Sequence, residues 1–352
     1  MIARLRPHLA PVAALAALAA LFLLFSARQR APAAIDGPTF VPNTSGVYFT
    51  VPSAAEAMAL RGGPDAAVAS SIDSAEESVD MAMYELNLWS IRDALLRAEA
   101  RGVSVRMVME KDSLEAPEVA ALSAAGIPVV GDTDEGLMHD KFLIVDGGLV
   151  WTGSMNLTVT DAYFNNNNLL RLTSEELGRA YTDEFEEMFV HGWFGPLSTP
   201  GDGTRTEDGR VAAYFSPDDG VARRLIDLMG EARSSLEVMA FAFTSEAIAD
   251  AIVDRAEAGV RVRMVLDEDQ AANLGSQYQR LVEAGLDVRL DGNPNKMHHK
   301  VILVDGEVVV TGSYNFSRSA EEFNDENLVI VRDADVAAAY QEEFERVYAE
   351  GR

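Results

Sequence analysis

The chain contains no cysteine among its 352 residues. A disulfide framework, a thiolate nucleophile and a cysteine-ligated metal are therefore excluded. Lysine is nearly as scarce, with four in the whole chain, and histidine occurs five times. Positive charge is in deficit overall: 29 Lys and Arg stand against 56 Asp and Glu, a formal net charge of −27. Such a surface keeps a protein soluble and on average repels polyanions, so composition argues against an extended nucleic-acid track. Long apolar runs are missing too, with one exception near the start. "LAPVAALAALAALFLLFSA" gives 19 residues without charge between Arg6 and Arg28. That length lies between the core of a secretion signal and a full membrane span. Residues 1–35 are thus expected to be a signal peptide or a membrane anchor, with the remainder exported to the periplasm or the cell exterior.

The scarce residues are not scattered. "MHDKFLIVDG" begins at Met138 and "MHHKVILVDG" at Met297, and each runs on into Thr-Gly-Ser-x-Asn. A single copy would turn up in about one unrelated chain of this composition in a few hundred. Two copies call for a physical reason, and an internal repeat supplies it. Residues 79–112 align with 236–269, and 153–170 with 312–329; even "DEFEEMF" answers "EEFERVY". Each unit is about 140 residues long. The expected organisation is one lobe over 46–194, a Gly/Pro/Thr-rich linker over 195–210, and a second lobe over 211–352.

Within a unit, Val79–Leu86 and Leu236–Phe243 read as buried strands. Ser90–Ala100 places Ile91, Ala94 and Leu95 on one helix face, and Ser245–Ala258 repeats this with Ile248, Ala251 and Ile252. "VSVRMVM" and "VRVRMVL" follow as strands, so each unit predicts a parallel strand pair with a crossover helix. "FLIVDGGLVWTGS" and "VILVDGEVVVTGS" each predict a hairpin turning at Asp-Gly. The fold class is α/β: two similar α/β/α lobes related by pseudo-two-fold symmetry, plus the N-terminal apolar helix.

If the motif is a strand, His139 and Lys141 project from one face about 7 Å apart, as do His298 and Lys300. One copy holds an anion. Two copies brought together supply two imidazoles and two ammoniums, the inventory for attack on a phosphodiester without metal or cofactor. One ring serves as nucleophile and the other as proton donor to the leaving oxygen, while the lysines neutralise phosphoryl oxygens. Ser154 with Asn156, and Ser313 with Asn315, are expected to donate further hydrogen bonds to the same oxygens. Tyr84 and Phe241 read as core, His299 and His191 as structural or surface histidines, and Lys296 as solvated.

The duplicated His-x-Lys-x4-Asp followed by Gly-Ser-x-Asn resembles the signature of the phospholipase D superfamily, and the resemblance runs from about residue 46 to the C-terminus. It implies a bilobal fold with a single intramolecular active site in a monomer. It also implies a phosphohistidine intermediate resolved by water or an alcohol. Carried over by motif, the nucleophile is His139 and the general acid, then base, is His298. Asp146 and Asp305 complete the motif, with mainly structural work at the hairpin turn. In the family an acidic residue beyond the Ser-Asn pair hydrogen-bonds the imidazole. The second unit has Glu326 there and the first has Asn167. Paired within each unit, these would bias His298 toward the protonated donor and leave His139 neutral and less basic than usual.

The resemblance leaves the substrate open between phospholipid and nucleic acid, and hydrolysis open against transfer. The acidic composition, the apolar N-terminal segment and the duplication within one chain all lean toward phospholipid at a membrane surface. An exported or membrane-tethered nuclease is the alternative, and a catalytically silent anion-binding scaffold is a third reading, for which Asn167 speaks.

Overall fold

A computed structural model describes residues 45–133 and 135–352. The apolar segment within 1–35 lies outside the described residues. No helix among the described residues is long and apolar enough to cross a membrane.

Two sheets form the frame. The first comprises β1 (Ser45–Phe49), β2 (Ser78–Met83), β3 (Ser104–Met109), β4 (Val129–Gly131), β5 (Lys141–Val145), β6 (Leu149–Gly153) and β7 (Asn168–Thr173), in the order β1-β7-β6-β5-β2-β3-β4. The second comprises β8 (Thr204–Arg205), β9 (Val211–Ser216), β10 (Ser235–Ala240), β11 (Arg261–Leu266), β12 (Asp287–Leu290), β13 (Lys300–Val304), β14 (Val308–Gly312) and β15 (Glu326–Arg332), in the order β12-β11-β10-β13-β14-β15-β9-β8. From β2 to β4 and from β10 to β12 neighbouring strands are parallel; the pairs β2–β5 and β10–β13, and those beyond, are antiparallel. Both sheets are therefore mixed, with crossover helices Trp89–Ala100 and Glu246–Glu257 between the parallel strands. The segment expected to be an unstructured linker is partly ordered: a short helical turn spans Gly195–Leu197, and β8 adds an edge to the second sheet.

Uninterrupted apolar strands such as "FLIV" and "VILV" are buried on both faces, which is why they show no polar alternation. Phe142 and Ile144 of β5, with Val301 and Leu303 of β13, enter one core that both sheets share. Tyr181, Phe185, Tyr340 and Phe344 enter the same core from helices Glu175–Glu186 and Ala334–Glu350. Leu143 and Val145 face a second core belonging to the first sheet, and Ile302 and Val304 a third belonging to the second.

The hairpins turn where the sequence places them. Asp146 and Gly147 have φ of 49° and 66°, and Asp305 and Gly306 have 54° and 67°. Positive φ at both central residues suits the right-handed twist of the flanking strands, and Asp tolerates it because its short polar side chain bonds locally. The Asp146 carboxylate accepts from the amides of Glu76, Glu77 and Ser78 at 2.7–3.2 Å. Asp305 does the same for Arg233, Ser234 and Ser235. Against the upward push of burial, these bonds hold its carboxyl down to about 2. Both aspartates thus tie a hairpin to the start of β2 or β10. They sit beyond the far end of a strand about 16 Å long from the histidines of their own motifs.

Candidate active site

Each motif histidine stands two residues before a strand. Lys141 opens β5 and Lys300 opens β13, and each ammonium turns back to donate to the carbonyl of its own histidine, at 2.8 Å for His139 and 3.0 Å for His298. The two halves are stitched together at this level by backbone hydrogen bonds. His139 N donates to Asp325 O at 3.0 Å and Asp325 N to Leu137 O at 3.0 Å. In mirror fashion, His298 N donates to Asn166 O at 2.9 Å and Asn166 N to Lys296 O at 2.8 Å. The backbones approach so closely that a Cβ on Gly136 would lie 2.1 Å from the carbonyl oxygen of Phe323.

This stitching decides which partner each imidazole receives. Because Asp325 pairs beside Met138, the next residue, Glu326, falls against His139: the contact from Nδ1 to Oε2 is 2.7 Å. Because Asn166 pairs beside Met297, Asn167 falls against His298, with Nδ1 to Oδ1 at 3.0 Å. The expected pairing within each unit is therefore corrected: the bracing is exchanged between units. The carboxylate belongs to His139, which is not the ring deprived of one.

The hydrogen bonds also fix the amide's orientation. Ser154 Oγ donates to Asn167 Oδ1 at 2.9 Å, and Asn167 Nδ2 donates to the carbonyl of Asp161. The oxygen of Asn167 thus faces His298, whose Nδ1 must carry the proton, leaving Nε2 unprotonated in the neutral ring. Ser154 and Ser313 are fully buried, and Ser313 Oγ accepts from the Asn327 amide at 2.9 Å. These serines position the groups behind the rings and do not reach phosphoryl oxygens, contrary to the expectation. Asn156 lines the cleft, and among the described residues the side-chain amides of Asn156 and Asn315 make no hydrogen bond; their Oδ1 atoms are buried without partners there. Both amides are available to a ligand.

His139 and His298 open on one cleft of about 400 Å³, and each ring is 7 % exposed, enough for a phosphoryl group to reach a ring edge. Tyr84 and Phe241 are not core. The chain leaves β2 and β10 just before them, and their rings meet His139 and His298 edge-on at 4.8 and 4.6 Å. Lys141 and Lys300 lie over the same two rings at 5.0 and 4.8 Å. Lys296 also lines the cleft, paired with Asp269. Asp161, which sequence reasoning missed, accepts from Asn156 N at 2.8 Å and lies 3.8 Å from Nδ1 of His298.

Electrostatics follow from burial. Burial pushes both imidazoles well below their ordinary value, and the neighbouring ammoniums add to it. Burial also brings Lys141 down to about 8 and, with help from Lys141, Lys300 down to about 7; Glu326 is pushed up to about 7. The cleft therefore holds little net positive charge near neutrality, and an entering anion favours protonation of the lysines and imidazoles. One consequence is measurable. The lysines of the free protein lose charge as pH rises through 7 to 8, so kcat/KM for an anionic diester is expected to fall above about pH 7. A flat profile to pH 9 would contradict this.

The residue between His and Lys differs between halves. His299 is buried, receives Asn168 Nδ2 at 2.9 Å and meets Glu343 at 2.9 Å, with Arg346 completing the network at 2.6 and 2.8 Å. At the matching place the first half has Asp140, with Glu184 and Glu187 where the second has Glu343 and Arg346. Asp140 accepts from Asn327 Nδ2 at 2.7 Å, and its Oδ2 has no partner among the described residues. Burial raises Asp140 to about 7 and Glu184 well above its ordinary range.

The family model "Cardiolipin synthase, PLD-like domain" matches residues 68–189 and 225–348, one stretch in each half. The chain belongs to this family, within the phospholipase D superfamily. It is similar to the mitochondrial cardiolipin hydrolase of Xenopus tropicalis, 42 % identical over 132 residues, covering 38 % of this chain and 63 % of that one. It is also similar to a phospholipase D of Rickettsia bellii, 32 % identical over 131 residues, covering 37 % and 65 %. The chain thus spans under two thirds of the length of these relatives. The crystal structure of phosphatidylserine synthase from Haemophilus influenzae matches with a TM-score of 0.64 at 14 % identity, over 87 % of each chain, and so shares the fold.

Proposed function

We propose that this protein is a phosphodiesterase that cleaves or transfers the phosphatidyl group of phospholipids through a phosphohistidine, without a metal. One observation carries the reading: two imidazoles, each braced by the opposite half, open on one cleft, and a buried ammonium turns back to the backbone of each. The names of the relatives, a cardiolipin hydrolase and a phospholipase D, support a lipid substrate. The halves act as lobes about a pseudo-two-fold axis, and one chain holds the whole site as a monomer.

The exchanged bracing supports one assignment of roles. With Glu326 ionised, His139 donates Nδ1–H to it and presents Nε2 to phosphorus. As the P–N bond forms, positive charge develops on the ring and the Glu326 carboxylate stabilises it. The bond from phosphorus to the headgroup oxygen breaks, and protonated His298 gives its Nε2 proton to that oxygen. Asn167 orients His298 without neutralising it, which keeps the imidazolium acidic enough to donate. His298 then takes a proton from water or an alcohol, which attacks phosphorus; the P–N bond breaks and His139 is released. Lys141, Lys300, Asn156 and Asn315 meet the phosphoryl oxygens throughout.

The strand arginines offer no track for a nucleic-acid backbone. Arg106 pairs with Asp80 and Glu186, and Arg263 with Glu237 and Glu345. The test is a parallel assay of the purified protein on mixed phospholipid vesicles and on single- and double-stranded DNA. Release of phosphatidic acid, undiminished by EDTA, is the expected result. DNA cleavage without lipid turnover, or EDTA inhibition reversed by zinc, would overturn the reading. Export, proposed from residues 1–35, is tested by fractionating cells that express the full chain.

A further inference from the structure

The repeat makes the cleft nearly symmetric at the reacting groups and asymmetric at its mouth. Glu85 aligns with Ala242, and Asp161 with Ala320, so one half contributes two carboxylates where the other contributes two methyl groups. Glu85 follows Tyr84, the residue against His139, and both line the cleft. Its side chain is exposed and makes no hydrogen bond or ion pair with any described residue. Lys296, the cation on the opposite wall, is already neutralised by Asp269. Burial raises the Glu85 carboxyl above its ordinary value, the Asp161 carboxylate adds to this and the Lys141 ammonium opposes it. A phosphodiester is an anion, and an unpaired carboxylate at the mouth works against an anion. It becomes favourable only if the substrate carries a positive charge a few bonds from phosphorus.

We infer that Glu85 determines specificity by selecting diesters whose leaving alcohol is cationic, an amino-alcohol headgroup, over those whose leaving alcohol is neutral or anionic. This rests on the reading of the protein as a phospholipid phosphodiesterase. Asp161 stands 3.8 Å from the ring that protonates the leaving oxygen and extends the same negative field to that side. The carboxylate therefore meets the headgroup, while the lysines meet the phosphoryl oxygens.

The experiment compares phosphatidylethanolamine with phosphatidylglycerol, each at the same mole fraction in nonionic detergent micelles, for the full chain and its Glu85→Gln, Glu85→Lys and Glu85→Asp variants. The wild type is expected to favour phosphatidylethanolamine in kcat/KM. Glu85→Gln should lower that preference about fivefold, the upper range for an exposed ion pair. Glu85→Lys should reverse it, and Glu85→Asp should largely retain it. Turnover of both lipids with a ratio that none of the variants moves overturns the inference and leaves the phosphodiesterase reading intact. Turnover of neither lipid by a wild type that still cleaves bis(p-nitrophenyl) phosphate removes the lipid reading, and the inference with it.

Discussion

Replacing His139 by alanine is expected to lower phospholipid turnover by about four orders of magnitude or more, since paired groups that act as a unit fail together. His298→Ala should be as damaging on a natural headgroup. The two variants should part on a substrate whose leaving group needs no proton. From a p-nitrophenyl phosphodiester the leaving group departs as the stable p-nitrophenolate anion, so His298→Ala should regain much of the first step as a burst of p-nitrophenolate. His139→Ala has no nucleophile and should show none. The phosphoryl group in protein quenched in alkaline denaturant, where the P–N bond survives, should map to His139. Its recovery on His298, or a burst from His139→Ala, would exchange the two roles. Glu326→Gln belongs to the same test: without the carboxylate the phosphorylated ring loses its counter-charge, and accumulation of the intermediate should fall.

A second large effect is expected on stability. Asp140 is fully buried, one of its oxygens has no partner, and its carboxyl is raised to about 7. A carboxyl raised in the folded state contributes stability that is fully present below its unfolded value, near 4. That contribution is lost as pH rises through about 7. Asp140→Asn keeps an acceptor for Asn327 and removes the charge. At pH 8 the variant should therefore be more stable than the wild type by roughly 2–4 kcal/mol. At pH 4 the difference should nearly vanish. Paired thermal denaturation curves at the two pH values decide it, and a variant less stable at pH 8 would show that the Asp140 carboxylate is compensated after all. His299 carries no such liability, because Asn168, Glu343 and Arg346 complete its bonds.

Much of this was legible in the residues. The two Asp-Gly hairpins, the parallel pair around each crossover helix and the apolar runs of β5 and β13 follow from local pattern and turn chemistry. So does the pairing of imidazole with ammonium, because His-x-Lys returns both groups to one side. The partner of each ring was not legible. Aligning one unit on the other reveals which residues are equivalent, but not which copy touches which. That depends on backbone bonds from Asp325 and Asn166 across to the other half, and no periodicity records them. Tyr84 and Phe241 misled for a related reason: an apolar run continues smoothly into an aromatic ring, although the strand has already ended. Ser154 and Ser313 looked like free donors because a sequence displays hydroxyls without showing what already occupies them.

The exchanged bracing has a consequence for how this chain tolerates damage. A protease cut in the surface segment after Leu197 severs the covalent tether yet removes neither ring nor brace, so the nicked protein should keep working while its fragments stay associated. Producing either fragment alone is another matter, since each carries a histidine whose support resides in the missing piece. Mixing the two separately inert fragments and watching turnover return would make the protein a natural complementation pair.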